Sequence, residues 1–107
     1  MTTNATELLR VAERLDDFPM ALLNGGASEA LQALAASESE GETVATSRGI
    51  DPATVNELWQ RADACLRQTP EDDAVFSTAA EAASLLYAAA WVLESDSATT
   101  EDVRDLL

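Results

Sequence analysis

The sequence predicts an all-α fold, a compact bundle of five or six helices. Alanine and leucine dominate the apolar residues, with 21 Ala and 14 Leu against one Ile. Apolar positions recur at helical spacings, and no stretch alternates strongly enough for a strand. Alanine has the best helix propensity and allows helices to pack closely, whereas a strand-built core draws on β-branched side chains. At 107 residues the chain fits a single domain, residues 1–107.

The elements follow in order. A first helix is expected from Ala5 to about Asp17, with Asn4 as cap and Glu7 in the capping-box position. Leu8, Val11, Ala12 and Leu15 form its stripe, and Pro19 interrupts it. The short segment Pro19 to Leu23 ends at Asn24-Gly25-Gly26, a stop signal. A second helix is expected from Ser28 to about Glu38, with Leu31, Leu34 and Ala35 on one side. Ser39 to Ser47 is ambiguous: Ser39 followed by Glu42 could open a helix, but Thr43, Val44 and Thr46 are poor helix formers. Gly49 then allows a positive φ.

The next start is stronger. Asp51 is a suitable N-cap, Pro52 sits at N1, and Ile50 can staple against Val55. Val55, Leu58, Trp59, Ala62, Cys65 and Leu66 define one apolar face. Thr69 and Pro70 repeat the cap grammar, with Asp72 at N3, and predict a helix to about Glu94. Its centre, AAEAASLLYAAAWVLE, is apolar round most of its circumference. Such a helix is either central to a bundle or half covered by a second subunit. Thr99 or Thr100 caps a final helix through Leu107.

Residue chemistry excludes much. The 20 acidic and six basic residues give a net charge of −14, every base is an arginine, and histidine is absent. Zinc-finger and His-metal sites, Ser–His–Asp and Cys–His pairs, and a lysine Schiff base are therefore ruled out. The single cysteine, Cys65, permits no internal disulfide and reads as a small buried hydrophobe in a reducing compartment. The acids Glu71-Asp72-Asp73 and Glu101-Asp102 fall where helix dipoles favour negative charge. Glu38-Ser39-Glu40-Gly41-Glu42 lacks calcium-loop spacing, and Gly25-Gly26 lacks the flanks of a phosphate loop. No catalytic residue, cofactor, metal or small-molecule substrate is expected, so the chain reads as a non-enzyme.

The amino terminus is polar and acidic, unlike a secretory signal, and the uncharged run Ala82 to Leu93 is too short to cross a bilayer. A cytoplasmic protein with no membrane partner is expected. The lysine-free, acidic, alanine- and threonine-rich composition resembles that of proteins from extreme halophiles that keep molar salt in the cytoplasm. At about 1 M salt the Debye length falls to roughly 3 Å, which screens most of the self-repulsion.

One local motif stands out. Thr43 to Trp59 reads T-V-A-T-S-R-G-I-D-P-A-T-V-N-E-L-W. With Ala45, Gly49, Ile50, Asp51, Val55 and Leu58 in register, this resembles the helix-turn-helix signature of bacterial and archaeal DNA-binding domains, over about 17 residues. The resemblance implies a trihelical unit with two roughly perpendicular helices, the second entering the major groove. Thr54, Asn56, Gln60 and Arg61 would then be DNA-contacting, with Arg48 and Arg67 as phosphate contacts. Asn56 and Gln60 suit adenine, and Arg61 suits guanine or a phosphate. Thr43 to Arg67 is also neutral, with three arginines and three acids, so the remaining residues carry all of the −14.

The leading expectation is protein–protein association rather than DNA binding. A nearly all-apolar helix in so small a chain leaves surplus apolar surface, which favours a homodimer or another protein partner. The expected association face is Leu86, Tyr87, Ala90 and Trp91. Core packing is nevertheless the ordinary expectation for both Trp59 and Trp91.

Overall fold

The computed structural model describes residues 3–107. They form five α-helices: α1 (Thr3–Asp17), α2 (Gly26–Arg48), α3 (Pro52–Leu66), α4 (Val75–Glu94) and α5 (Thr100–Leu106). Two 3-10 turns, Pro19–Leu23 and Asp72–Ala74, lead out of α1 and into α4. The expected all-α bundle forms, with a Cα radius of gyration of 13.1 Å and extents of 41 × 24 × 18 Å.

Side-chain pairings fix the helix directions. Asn4 Nδ2 donates to Glu40 at 3.2 Å and Arg14 Nη1 meets Glu29 at 2.9 Å, so α1 and α2 are antiparallel. Trp59 Nε1 donates to Ser37 Oγ at 3.0 Å, and the same indole lies over Gly41. With the turn at Gly49, α2 and α3 are antiparallel too. The Cys65 thiol reaches the Thr78 carbonyl at 3.7 Å, while Asp51 N–H donates to Thr100 Oγ1 at 3.0 Å. Those contacts run α4 antiparallel to α3. The four long helices alternate up and down, α1 closes the bundle on α4, and α5 packs on α3 and α4.

Helix α2 departs most from the sequence expectation. It runs on from Glu38 to Arg48 through the ambiguous stretch. Tertiary packing outweighs weak local propensity there. Ala33, Ser37, Gly41 and Ala45, each one helical turn apart, are all buried. Ser37 and Gly41 leave room for Trp59: a Cβ on Gly41 would sit 3.3 Å from its ring. Thr43 and Thr46 donate their hydroxyls to the carbonyls of Ser39 and Glu42 at 3.0 Å, an arrangement that lets them sit inside a helix.

Gly49 ends α2 as anticipated, with φ of 71° and its N–H on the Ala45 carbonyl. Asp51 caps α3, accepting from Ala53 N at 3.3 Å and from Thr54 Oγ1 at 2.9 Å. Thr99 rather than Thr100 caps α5, in a reciprocal box with Asp102. Two other starts differ. Asn4 lies inside α1 and binds Glu40, while Glu7 pairs with Arg10 at 3.0 Å instead of closing a capping box. Thr69 and Pro70 do not open α4, which begins at Val75 behind the Asp72–Ala74 turn.

The core is made of few large side chains. Leu8, Leu15, Leu58 and Leu86, with Val11, Val75, Val92 and Val103, are fully enclosed. Each such aliphatic contributes about 1.5–3 kcal/mol by leaving water. Among the described residues, no buried side-chain nitrogen or oxygen lacks a hydrogen-bond partner. The stretch Asp72–Glu94 is long and apolar enough to cross a membrane by length and composition, but most of its apolar window is buried within the bundle.

Candidate functional site

Because α4 is apolar nearly all round, the informative question is which part the bundle leaves uncovered. Ala80, Ser84 and Trp91 are exposed and Tyr87 is half-buried. These positions are spaced four, three and four residues apart, so they share one line along the helix. Trp91 is 41% exposed, although every other residue from Ala88 to Leu93 is buried.

A shallow groove of about 430 Å³ follows this line. Ala80, Ala83, Ser84 and Ala88 supply small side chains along it; Tyr87 and Trp91 rise at one end, with Asp16 of α1 and Leu106 of α5 alongside. Trp91 and Leu106 also border a second hollow with Asp102 and Asp105. Leu106 is itself 39% exposed. Burial raises the Tyr87 phenol above its usual range, and the nearby carboxylates of Asp16, Glu13 and Asp17 push it further. The face is therefore apolar along its line and acidic at its margins.

The structure corrects half of the expected association face. Tyr87 and Trp91 belong to it, but Leu86 and Ala90 are 0% and 1% exposed and lie in the core. Each residue turns the helix by about 100°, which carries Leu86 about 130° and Ala90 about 90° round from that line, onto the side that faces the bundle. Trp91 itself departs from the expectation of core packing, which Trp59 obeys. Ala80, Ser84 and Leu106 were missed by sequence reasoning. The available signal for the first two was their spacing of seven residues from Tyr87 and Trp91.

The candidate DNA-contacting residues do not form one surface. Gln60 and Arg61 are exposed on α3, and Asn56 is partly exposed. Arg67 is exposed but bound to Asp63 at 2.8 Å. Thr54 is buried with its hydroxyl on Asp51, so it cannot reach a base. Arg48 is spent inside the molecule: Nη1 donates to the carbonyls of Val92, at 2.9 Å, and Ser95, and Nη2 to that of Leu93 at 3.4 Å. It thus caps the carboxyl end of α4 and cannot serve as a phosphate contact. A groove lined from Leu31, Leu34 and Glu38 across to Trp59, Asp63 and Arg67 shows α2 and α3 lying alongside each other as an antiparallel hairpin. The roughly perpendicular pair implied by the helix-turn-helix resemblance is not what these residues build.

Comparison with protein-family models, curated proteins and solved structures finds no match. The rest of the chain's chemistry is quiet. Cys65 is buried, and desolvation together with the charge of Glu81 pushes its thiol up to about 11, away from the reactive thiolate. Among the described residues, no three metal-ligating side chains gather into a cluster.

Proposed function

We propose that this chain is a non-enzymatic association protein that works through the α4–α5 face centred on Tyr87, Trp91 and Leu106. The exposure of Trp91 carries the proposal. A tryptophan left 41% open among the buried residues from Ala88 to Leu93 keeps a large apolar area in water. A partner that covered it would gain the kind of aromatic anchor that dominates interface energetics. Salt adaptation belongs to the same proposal, because acidic margins around an apolar strip oppose a close approach at low ionic strength and are screened in molar salt.

Photocrosslinking in the native cell tests it. A photoreactive phenylalanine analogue in place of Trp91 is expected to give discrete adducts, and the same group in place of Gln60 is expected to give none. An absence of adducts at position 91 would remove the proposal.

A second reading, DNA contact through α3, is favoured by the exposure of Gln60 and Arg61 and by Arg61 having no carboxylate partner among the described residues. Its test is a salt-dependent DNA titration of wild type against Arg61→Ala. Loss of binding and a shallower salt slope in the variant would support it, and identical curves would end it.

A further inference from the structure

We infer that the occupant of the α4 face is a second copy of this chain, docked antiparallel so that Trp91 of each copy seats over Ala80 of the other. The inference rests on the association reading and names its partner. Ala80, Ser84, Tyr87 and Trp91 keep a four-three-four spacing, the seam of two helices packed with a slight left-handed twist. Side-chain size is polarised over these four positions, with alanine and serine in the first half and tyrosine and tryptophan in the second, and the exposed Phe76 flanks the small half one turn before Ala80.

A two-fold axis between Ser84 and Tyr87 turns this polarity into a fit. Position 91 then faces 80, and 87 faces 84, so each layer pairs one large side chain with one small one. Parallel packing of two copies would set Trp91 against Trp91 and leave Ala80 facing Ala80, one layer overfilled and the other underfilled. The flanking hydrophobe Leu106 enlarges the Trp91 end. Asp16, Asp102 and Asp105 stand at the margins rather than on the seam, so a second acidic copy meets repulsion at the rim that molar salt screens.

The layer pairing makes a swap experiment possible. Ala80 is exposed and Trp91 partly so, which lets both be changed without emptying or overfilling the core. Sedimentation of the whole chain in about 2 M KCl compares wild type, Trp91→Ala, Ala80→Trp and the double variant, with circular dichroism confirming helicity. The wild type is expected to be a dimer. Each single variant is expected to weaken it by about thirty-fold or more, Trp91→Ala by loss of an aromatic anchor and Ala80→Trp by setting two tryptophans in one layer. The double variant, with large and small exchanged, is expected to recover most of the affinity. A monomeric wild type would overturn the inference, as would folded single variants that dimerise like wild type or a folded double variant without recovery. If the wild type is monomeric while position 91 still crosslinks to a different protein, only the self-pairing fails and the association reading stands.

Discussion

Trp59 and Trp91 carry the same side chain on apolar helix faces, yet the fold uses them in opposite ways. Trp59 fits over Gly41 with its N–H on Ser37, whereas Trp91 stands open beside Leu106. Their helical periodicity does not distinguish them, because it records which residues share a face but not whether another element covers it. The Gly25-Gly26 pair shows the same difference. Gly25 has φ of 91° and open space around it, so Gly25→Ala pays only the left-handed backbone cost of about 1–2 kcal/mol. At Gly26 a Cβ would lie 2.5 Å from the Ala21 carbonyl oxygen and 3.2 Å from Leu15. Gly26→Ala is expected to cost about 3 kcal/mol or more, since backbone must move, and urea unfolding of the two variants checks the order. Cys65 gives a pH prediction. Its thiol stays protonated to about 11 in the folded chain, against an ordinary value of 9.0. The folded state binds more protons in that window, so stability is full below about pH 9 and falls toward pH 11, by at most about 1.4 kcal/mol per pH unit. Cys65→Ala removes that part of the slope, which paired denaturation curves below and within the window will register.

At the scale of elements, some local start and stop signals act as read, while the equally local ones at Asn4 and at Thr69-Pro70 do not. Asp51, Pro52, Gly49 and Thr99 act as their residue types suggest, because caps depend on backbone groups a few positions away. Helix α2 was legible only in part. Its buried line of Ala33, Ser37, Gly41 and Ala45 has little hydrophobic contrast, and its continuation depends on α3 lying against it. Arg48 was readable as a base in the turn region, but not as the clamp on the carbonyls of a helix more than 40 residues away. Removing it leaves those carbonyls without their charged donor. Arg48→Ala is expected to cost about 2 kcal/mol and to speed amide exchange at the end of α4 and in α5. Arg48→Lys is expected to restore only part of this, because an ammonium cannot fork across several carbonyls. Equal stability of wild type and the alanine variant would show that the clamp contributes nothing.

For the molecule as a whole, a charge of −14 on a body 41 Å long sets the terms. Among the described residues Arg10, Arg14, Arg48 and Arg67 pair with carboxylates, and with 20 acids against six bases most of the acidity remains uncompensated. Raising KCl shortens the Debye length from about 10 Å at 0.1 M to about 3 Å at 1 M, and the melting temperature is expected to rise by several degrees or more across that range. Thermal melts followed by circular dichroism provide the check, and a melting temperature indifferent to salt would remove the proposal of salt adaptation. Sequence alone settled the helical class, the positions of most turns and the exclusion of histidine and lysine chemistry, since these follow from residue identity and short-range spacing. Only the folded bundle decided that α2 is continuous, that Arg48 and Thr54 are consumed internally, and that Trp91 and not Leu86 or Ala90 faces water. Those outcomes depend on how helices distant in sequence lie against each other, and a helix apolar on all sides carries no local mark of the side that its neighbours will leave bare.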